Sequence, residues 1–380
     1  MRLRNRADQK PSGANNFPDR PRLAEAILKI GWRRNVAPDC SKLVLYRDKS
    51  IRPRLITTIS AGRLCLERFL RILNRDYLLP AFAAISLGIC HAAAAQNGFD
   101  LSNATIPQNE ILPGGPPRDG IPAIDQPQFV KSSEVNFLRD EDRVLSIKID
   151  KEVRAYPLRI LAWHEIVNDR VGDHAIAVTY CPLAGAGLAF DRQVKDRKLT
   201  FGVSGLLYQS DLVMYDRETE SLWPQIAMKA ASGPQAGAKL RWLPSEDMTW
   251  RAWREAHPDG KVLSPETGYT RDYASQAYAS YERSREPMFP VKWSRPELPK
   301  KSWVIGVIVN GQAKAYALDD LKREPRVQDD VADQQIEIVY DPARRSAEII
   351  NKQNGAPVPF TMAYWFAWQA FYPKTELFWH

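Results

Sequence analysis

The sequence predicts an α+β fold, mainly antiparallel β with few short helices. It is expected as two unequal halves on a repeated β-rich unit, at about 144–201 and 304–360. Two observations carry this expectation. From Val144 the residues alternate with period two: Leu145, Ile147 and Ile149 fall on one strand face, and Val144, Ser146 and Lys148 on the other. Starting at Val304, VIGVIVNGQAKAYALDDL then reproduces the layout of VLSIKIDKEVRAYPLRIL at Val144, shifted by 160 residues without a gap. The correspondence continues: Val167, Asp169, Val171, Asp173, Tyr180 and Pro182 match Val327, Asp329, Val331, Asp333, Tyr340 and Pro342.

The chain of 380 residues carries a formal charge of +8, concentrated at its start. Residues 1–79 hold 18 Lys/Arg against 7 Asp/Glu, whereas residues 96–380 hold 35 against 38. The folded part is therefore mildly acidic, and no nucleic-acid partner is expected. Residues 1–75 read as a basic extension outside the fold. Arg68, Arg71 and Arg75 precede the apolar run Tyr77 to Cys90 and an A-x-A site ending at Ala95. Residues 76–95 are thus expected to be a signal peptide cut after Ala95, giving an exported periplasmic or extracellular protein with no stable membrane span. Cys40, Cys65 and Cys90 all fall before that cut, so the mature chain would carry Cys181 alone and no internal disulfide.

Residues 96–127 are rich in Pro, Gly, Asn and Asp and read as an extended leader over the surface. Residues 128–292 are expected to hold the first repeat unit, an aromatic hairpin and a linker, and residues 293–375 the second unit. Within the first unit, Val144 to Ile149 and Glu152 to Tyr156 read as a hairpin. Pro157 to His164 fits a short helix opened by proline. Val167 to Asp173 reads as turn-rich, with strands at Ala175 to Tyr180 and Gly187 to Arg192. Val203 to Gln225 reads as a strand, a Ser-Gly turn, a strand Leu212 to Tyr215, a tight turn and a strand ending at Trp223. Trp250 to His257 fits a helix whose tryptophans belong to the core.

The repeat also serves as an internal control. Features in both copies, such as Asp169 and the Tyr-x-Pro turn, are expected to serve the fold. Features of the first copy alone are candidates for chemistry. Cys181 faces Asp341, His164 faces Glu324, Glu165 faces Pro325, Asn168 faces Gln328, and the Gly185/Gly187 loop faces Arg345 and Ala347. A thiol acts as nucleophile or ligand in its ionised form, favoured by amide donors or a nearby cation. Cys181 and His164 are therefore the candidate catalytic pair, with Cys181 expected exposed and of low pKa. Glu165, Asn168, Ser204, Tyr208, Asp211, Met214, Trp223 and Gln225 are candidate binding residues. Cys181, His164 and Met214 together would suit copper or another soft metal ion. The partner would be a small molecule, a metal ion or a periplasmic protein. The rival readings are a non-catalytic ligand- or protein-binding module using the hairpin 203–225, and hydrolysis by paired carboxylates such as Glu165 and Asp211.

The stretches WHEIVND (Trp163 to Asp169), TYCPL (Thr179 to Leu183), FGVSGLLYQSDLVMYDRETESLW (Phe201 to Trp223) and HPDGKVLS (His257 to Ser264) resemble a bacterial and archaeal family known as domain of unknown function 3179. The resemblance covers roughly Asp119 to Tyr372. It implies a Cys-Pro-Leu-Cys motif, with selenocysteine in some members, and with it redox or soft-metal chemistry. Here Ala184 stands where the second cysteine belongs, so only Cys181 carries over and a disulfide within the loop is impossible. A single working thiol with an external partner is the corresponding expectation.

Overall fold

The computed structural model describes residues 95–378; the basic extension, the expected signal segment up to residue 94, and Cys40, Cys65 and Cys90 lie outside them. The fold is mainly antiparallel β with five short α-helices among the described residues. Two segments share one layout. The first runs through strands Arg143–Ile149 and Glu152–Pro157, helix Leu158–His164, and strands Ile166–Val171, His174–Cys181 and Ala186–Asp191. The second runs through strands Trp303–Val309 and Gln312–Ala317, helix Leu318–Arg323, and strands Arg326–Val331, Gln334–Asp341 and Ser346–Asn351. Every strand boundary in this run differs by 160 residues.

The layout continues further than the aligned stretches implied. In the first segment Glu246–Thr249 pairs with the hairpin, helix Trp250–Ala256 follows, and Lys261–Leu263 closes the sheet in parallel. In the second, Phe360–Tyr364, helix Trp365–Phe371 and the parallel strand Glu376–Phe378 do the same. TWRAWREAHPDGKVL and YWFAWQAFYPKTELF thus correspond, a further part of the repeat that lies outside the stretches 144–201 and 304–360. Each segment buries a tryptophan over its central hairpin. Trp253 Nε1 donates to Ser146 Oγ at 2.9 Å, and Trp368 packs where a Cβ on Gly306 would sit 2.4 Å away.

Asp169 and its counterpart Asp329 hold the two hairpins to their three-stranded neighbours. Tyr156 and Arg154 both donate to Asp169 at 2.5 Å, while Tyr316 donates to Asp329 at 2.6 Å beside Lys314. The segments clasp each other reciprocally. The Tyr364 amide donates to the Ala184 carbonyl at 2.9 Å, and the Thr249 amide to the Arg344 carbonyl at 3.1 Å.

Between the shared parts, the first segment inserts a hairpin of Phe201–Tyr208 and Asp211–Asp216, flanked by Leu222–Pro224 and Ile111–Pro113. Three local expectations are corrected here. Ile166–Val171 is a regular strand, its turn confined to Gly172 and Asp173, because the Asp169 side chain is taken up by Tyr156 and Arg154 of the neighbouring hairpin. Ser204-Gly205 is a bulge inside a continuous strand, with Ser204 Oγ accepting the Leu206 amide at 3.0 Å. The hairpin turn falls instead at Gln209 and Ser210, whose φ values of 53° and 62° suit a two-residue turn. Finally, the leader does more than cover the surface: Phe99, Leu101 and Ile111 are buried against Leu206, Val213 and Tyr215.

One apolar core joins the Cys181 turn, the inserted hairpin and the C-terminal helix, bringing Cys181, Ala184, Leu212, Met214, Trp365 and Trp368 into one cluster. This packing decides what the site can be. No helix among the described residues is long and apolar enough to cross a membrane.

Candidate functional site

Cys181 ends the strand His174–Cys181, and the turn 182–185 returns the chain to Ala186. The sulfur accepts the amides of Ala184 and Leu212. The first of these is a turn-capping contact that the second segment also makes, where Asp341 accepts the Ala343 and Arg344 amides at 2.9 and 3.1 Å. The environments then diverge. Asp341 is partly exposed, whereas Cys181 is 1% exposed. The difference comes from Tyr281, whose hydroxyl donates to the Leu183 carbonyl at 2.6 Å, and from the inserted hairpin, whose Leu212 and Met214 share one core with Cys181.

The side chains that meet the thiol are carboxyls. Asp211 opens the second strand of the inserted hairpin and is fully buried, its Oδ2 accepting the Ile226 amide at 3.0 Å. Leaving the thiol aside, its enclosed Oδ1 has no donor among the described residues. Burial pushes Asp211 up to about 7, against the opposing pull of the Ile226 amide and the Cys181 thiol. Glu165 is 7% exposed and sits just past helix Leu158–His164. Burial, and then the Asp211 charge, push it up to about 8. Burial, followed by the charges of Asp211 and Glu165, holds the Cys181 thiol well above its ordinary value.

Glu165 also departs from ordinary backbone geometry. Its φ of 58° with ψ of −30° lies outside the regions that L-residues favour. Its amide donates to Leu161 at 2.6 Å and its carbonyl accepts the Tyr180 amide at 2.8 Å, so the bend is held from both sides. The corresponding residue of the second segment is Pro325, whose ring cannot adopt a positive φ. The bend belongs to the first segment alone.

A segment from 264 to 302, carrying only the short helix Ala279–Arg283, lies across this centre. Tyr278 is within electrostatic reach of Glu165 and Cys181, and Tyr372, from the C-terminal helix end, within reach of Asp211. No sequence signal singles out Tyr278 and Tyr281, which lie in a stretch without periodicity. Tyr364 and Tyr372 were findable through the correspondence of the two Trp-rich helices.

His164 is not part of this centre, which corrects the expected Cys181 and His164 pair. The helix aims its ring the other way: Nδ1 donates to the Pro122 carbonyl at 2.7 Å, and Nε2 accepts from the Tyr273 hydroxyl at 2.6 Å. Burial lowers its pKa to about 4, so it is a neutral imidazole with both nitrogens in use. The exposed, acidified thiol is corrected by the same geometry, because the neighbours of Cys181 are potential anions and the pocket is sealed. The soft-metal set of Cys181, His164 and Met214 does not fit either, since the imidazole has no nitrogen left to offer. Among the described residues no group of three or more His, Cys, Asp and Glu side chains is placed to hold a metal ion.

Most other candidates serve the hairpin. Asn168 clips it to the first segment, donating to the Phe201 carbonyl at 2.8 Å and accepting its amide at 2.9 Å. Ser204 fills the bulge, Met214 is core, and Trp223 donates to Asp216 at 2.8 Å while packing edge-on against Phe201. Tyr208 packs against Phe371 with ring centroids 5.6 Å apart. Gln225 is closer to the chemistry: its Nε2 donates to Thr179 Oγ1 at 2.7 Å, and its buried Oε1 has no partner among the described residues.

No curated protein and no solved structure matches this chain. Residues 118–375, which contain the first segment, the second as far as Thr375 and the whole buried centre, match the family model described as Protein of unknown function (DUF3179), and the chain belongs to that family.

Proposed function

We propose that the chain is a monothiol exchange protein in which Cys181 forms and releases mixed disulfides with an external partner, and the Asp211 and Glu165 carboxyls manage the proton. The carrying observation is that Cys181, the one thiol among the described residues, is enclosed with two carboxyls raised to about 7 and 8. Burying two acids and a thiol opposes folding, and a core serving only stability would fill that space with hydrocarbon. The bent backbone at Glu165, absent from the second segment, supports the same reading.

Near neutral pH such a pair holds one proton between them, Asp211 ionising before Glu165. The Asp211 carboxylate takes the proton from the Cys181 S–H as the sulfur attacks a partner disulfide. One S–S bond forms and the partner's breaks. The departing thiolate then receives a proton from Glu165, and the total of disulfide bonds is unchanged. Asp211 thus does the work the sequence assigned to His164. Access requires the segment 264–302 to lift Tyr278 and Tyr281 from the turn. An exported location, as expected from residues 76–95, would supply disulfide partners.

The test is incubation of the native chain with glutathione disulfide, followed by peptide mass spectrometry. That readout distinguishes Cys181 from Cys40, Cys65 and Cys90. A mixed disulfide at Cys181, absent in Cys181→Ser, is the expected result. A Cys181 modified only after denaturation in urea would refute exchange by the folded protein.

A further inference from the structure

Beside the thiol turn, where the two segments clasp, lies a second polar cluster. Arg143 and Arg345 both stack on the Trp303 ring, with guanidinium carbons 4.7 and 4.5 Å from its centroid. Arg143 comes from the first strand of the first segment, and Trp303 occupies the corresponding position of the second. Arg345 corresponds to Gly185, which packs against the same tryptophan; a Cβ there would lie 2.8 Å from the ring.

The two guanidiniums differ in what they hold. Arg143 grips Asp247 with Nε, at 2.9 Å, and with Nη2. Nε and Nη2 form the side-on edge of a guanidinium, the fork that matches two oxygens of one acid group. On Arg345 the same two atoms are buried and have no hydrogen-bond partner among the described residues. Among the described residues no carboxylate lies within ion-pair distance of Arg345, and Glu282 acts on it through charge alone. The phenols of Tyr180, Tyr340 and Tyr364 are within electrostatic reach of it, and the Tyr364 ring packs on Trp303 at 4.4 Å. Two like charges therefore share one tryptophan with a single bound carboxylate between them. The Arg345 charge also helps burial lower the Arg143 pKa to about 10.

We propose that Arg345, backed by Trp303 and the surrounding tyrosine hydroxyls, is an oxyanion-binding site that takes a carboxylate or phosphate group on its Nε/Nη2 fork. The Arg143 and Asp247 pair, built from the same atoms on the same ring, shows the geometry such a complex adopts. A second negative charge there neutralises the excess cation. This inference does not depend on thiol exchange.

The test is titration calorimetry of the full chain with inorganic phosphate and, separately, with acetate. A single saturable site in one of the two titrations is expected, and the stronger binder identifies the acid group. Arg345→Ala should weaken it at least tenfold. Arg345→Lys should also weaken it, because an ammonium keeps the charge and loses the fork. That variant separates loss of the fork from loss of folding. Arg344→Ala, the same change in net charge at an exposed neighbour, should bind as the wild type does, and so should Cys181→Ser. No saturable binding of either anion, or equal weakening by Arg344→Ala and Arg345→Ala, would overturn the assignment.

Discussion

The buried carboxyl pair makes a quantitative claim about stability. Glu165 has a pKa of about 8 in the fold, against an ordinary value of 4.5. At about 1.4 kcal/mol per pKa unit, ionising it inside the protein costs on the order of 5 kcal/mol. The folded state holds this proton more tightly than the unfolded chain does. Its contribution is therefore complete below about 4.5 and is lost as pH rises through about 8. Asp211, raised from 3.8 to about 7, acts in the same direction, though the two losses do not add because the groups share charge. Urea unfolding of the wild type and of Glu165→Gln at pH 5 and pH 9 measures the effect. The wild type should lose roughly 3 to 5 kcal/mol more than the variant across that range. Both proteins contain His164, so its titration cancels in the comparison. Parallel profiles for the two proteins would refute the reasoning, because they would mean that Glu165 ionises in the fold as it does in water.

The other predictions concern the frame around the pair. His164 is buried neutral with a pKa of about 4, below its ordinary 6.5, so the stability it contributes is present above 6.5 and is lost as pH falls through 4. His164→Asn should consequently retain about 3 kcal/mol more of its pH 7 stability at pH 3.5 than the wild type does, read from melting curves. Gly185→Ala places a methyl 2.8 Å from Trp303 at a φ of 67° and should cost about 2 to 3 kcal/mol by urea unfolding. Gly355→Ala, at a φ of 70° with nothing near the added Cβ, should cost about 1 kcal/mol. Asp169→Ala leaves the buried Tyr156 hydroxyl without its acceptor and Arg154 with Glu152 alone, and should destabilise by about 2 to 3 kcal/mol, with a comparable loss for Asp329→Ala, which does the same to Tyr316 and leaves Lys314 with Glu376.

Strand periodicity and the 160-residue offset made the paired layout legible because both depend on local spacing, which a sequence displays directly. The offset also separated Asp169, which holds the hairpin, from Glu165, whose counterpart Pro325 cannot share its backbone. What the spacing could not show was orientation. His164 and Glu165 are adjacent, yet the positive φ at Glu165 sends one side chain toward Pro122 and Tyr273 and the other toward Asp211. A reading that paired the thiol with the more familiar base therefore chose the wrong neighbour of two. Burial was hidden for a different reason. The residues that seal Cys181 come from position 281 and from the inserted hairpin at 212 and 214, outside the repeated layout, and Tyr281 lies in a segment with no periodic pattern. The bulge at Ser204 looked like a turn because Ser-Gly serves either, and only the tertiary contact of Gly205 with Pro116 decides between them.

The most direct measurement is the rate at which Cys181 forms a mixed disulfide at pH 7 in wild type and in Asp211→Asn. If the Asp211 carboxylate receives the thiol proton, its amide replacement should slow the reaction by about tenfold or more, in line with the usual contribution of a positioned base. If Asp211 only repels the thiolate, removing its charge should leave the rate unchanged or raise it, and the proton-relay account would be wrong.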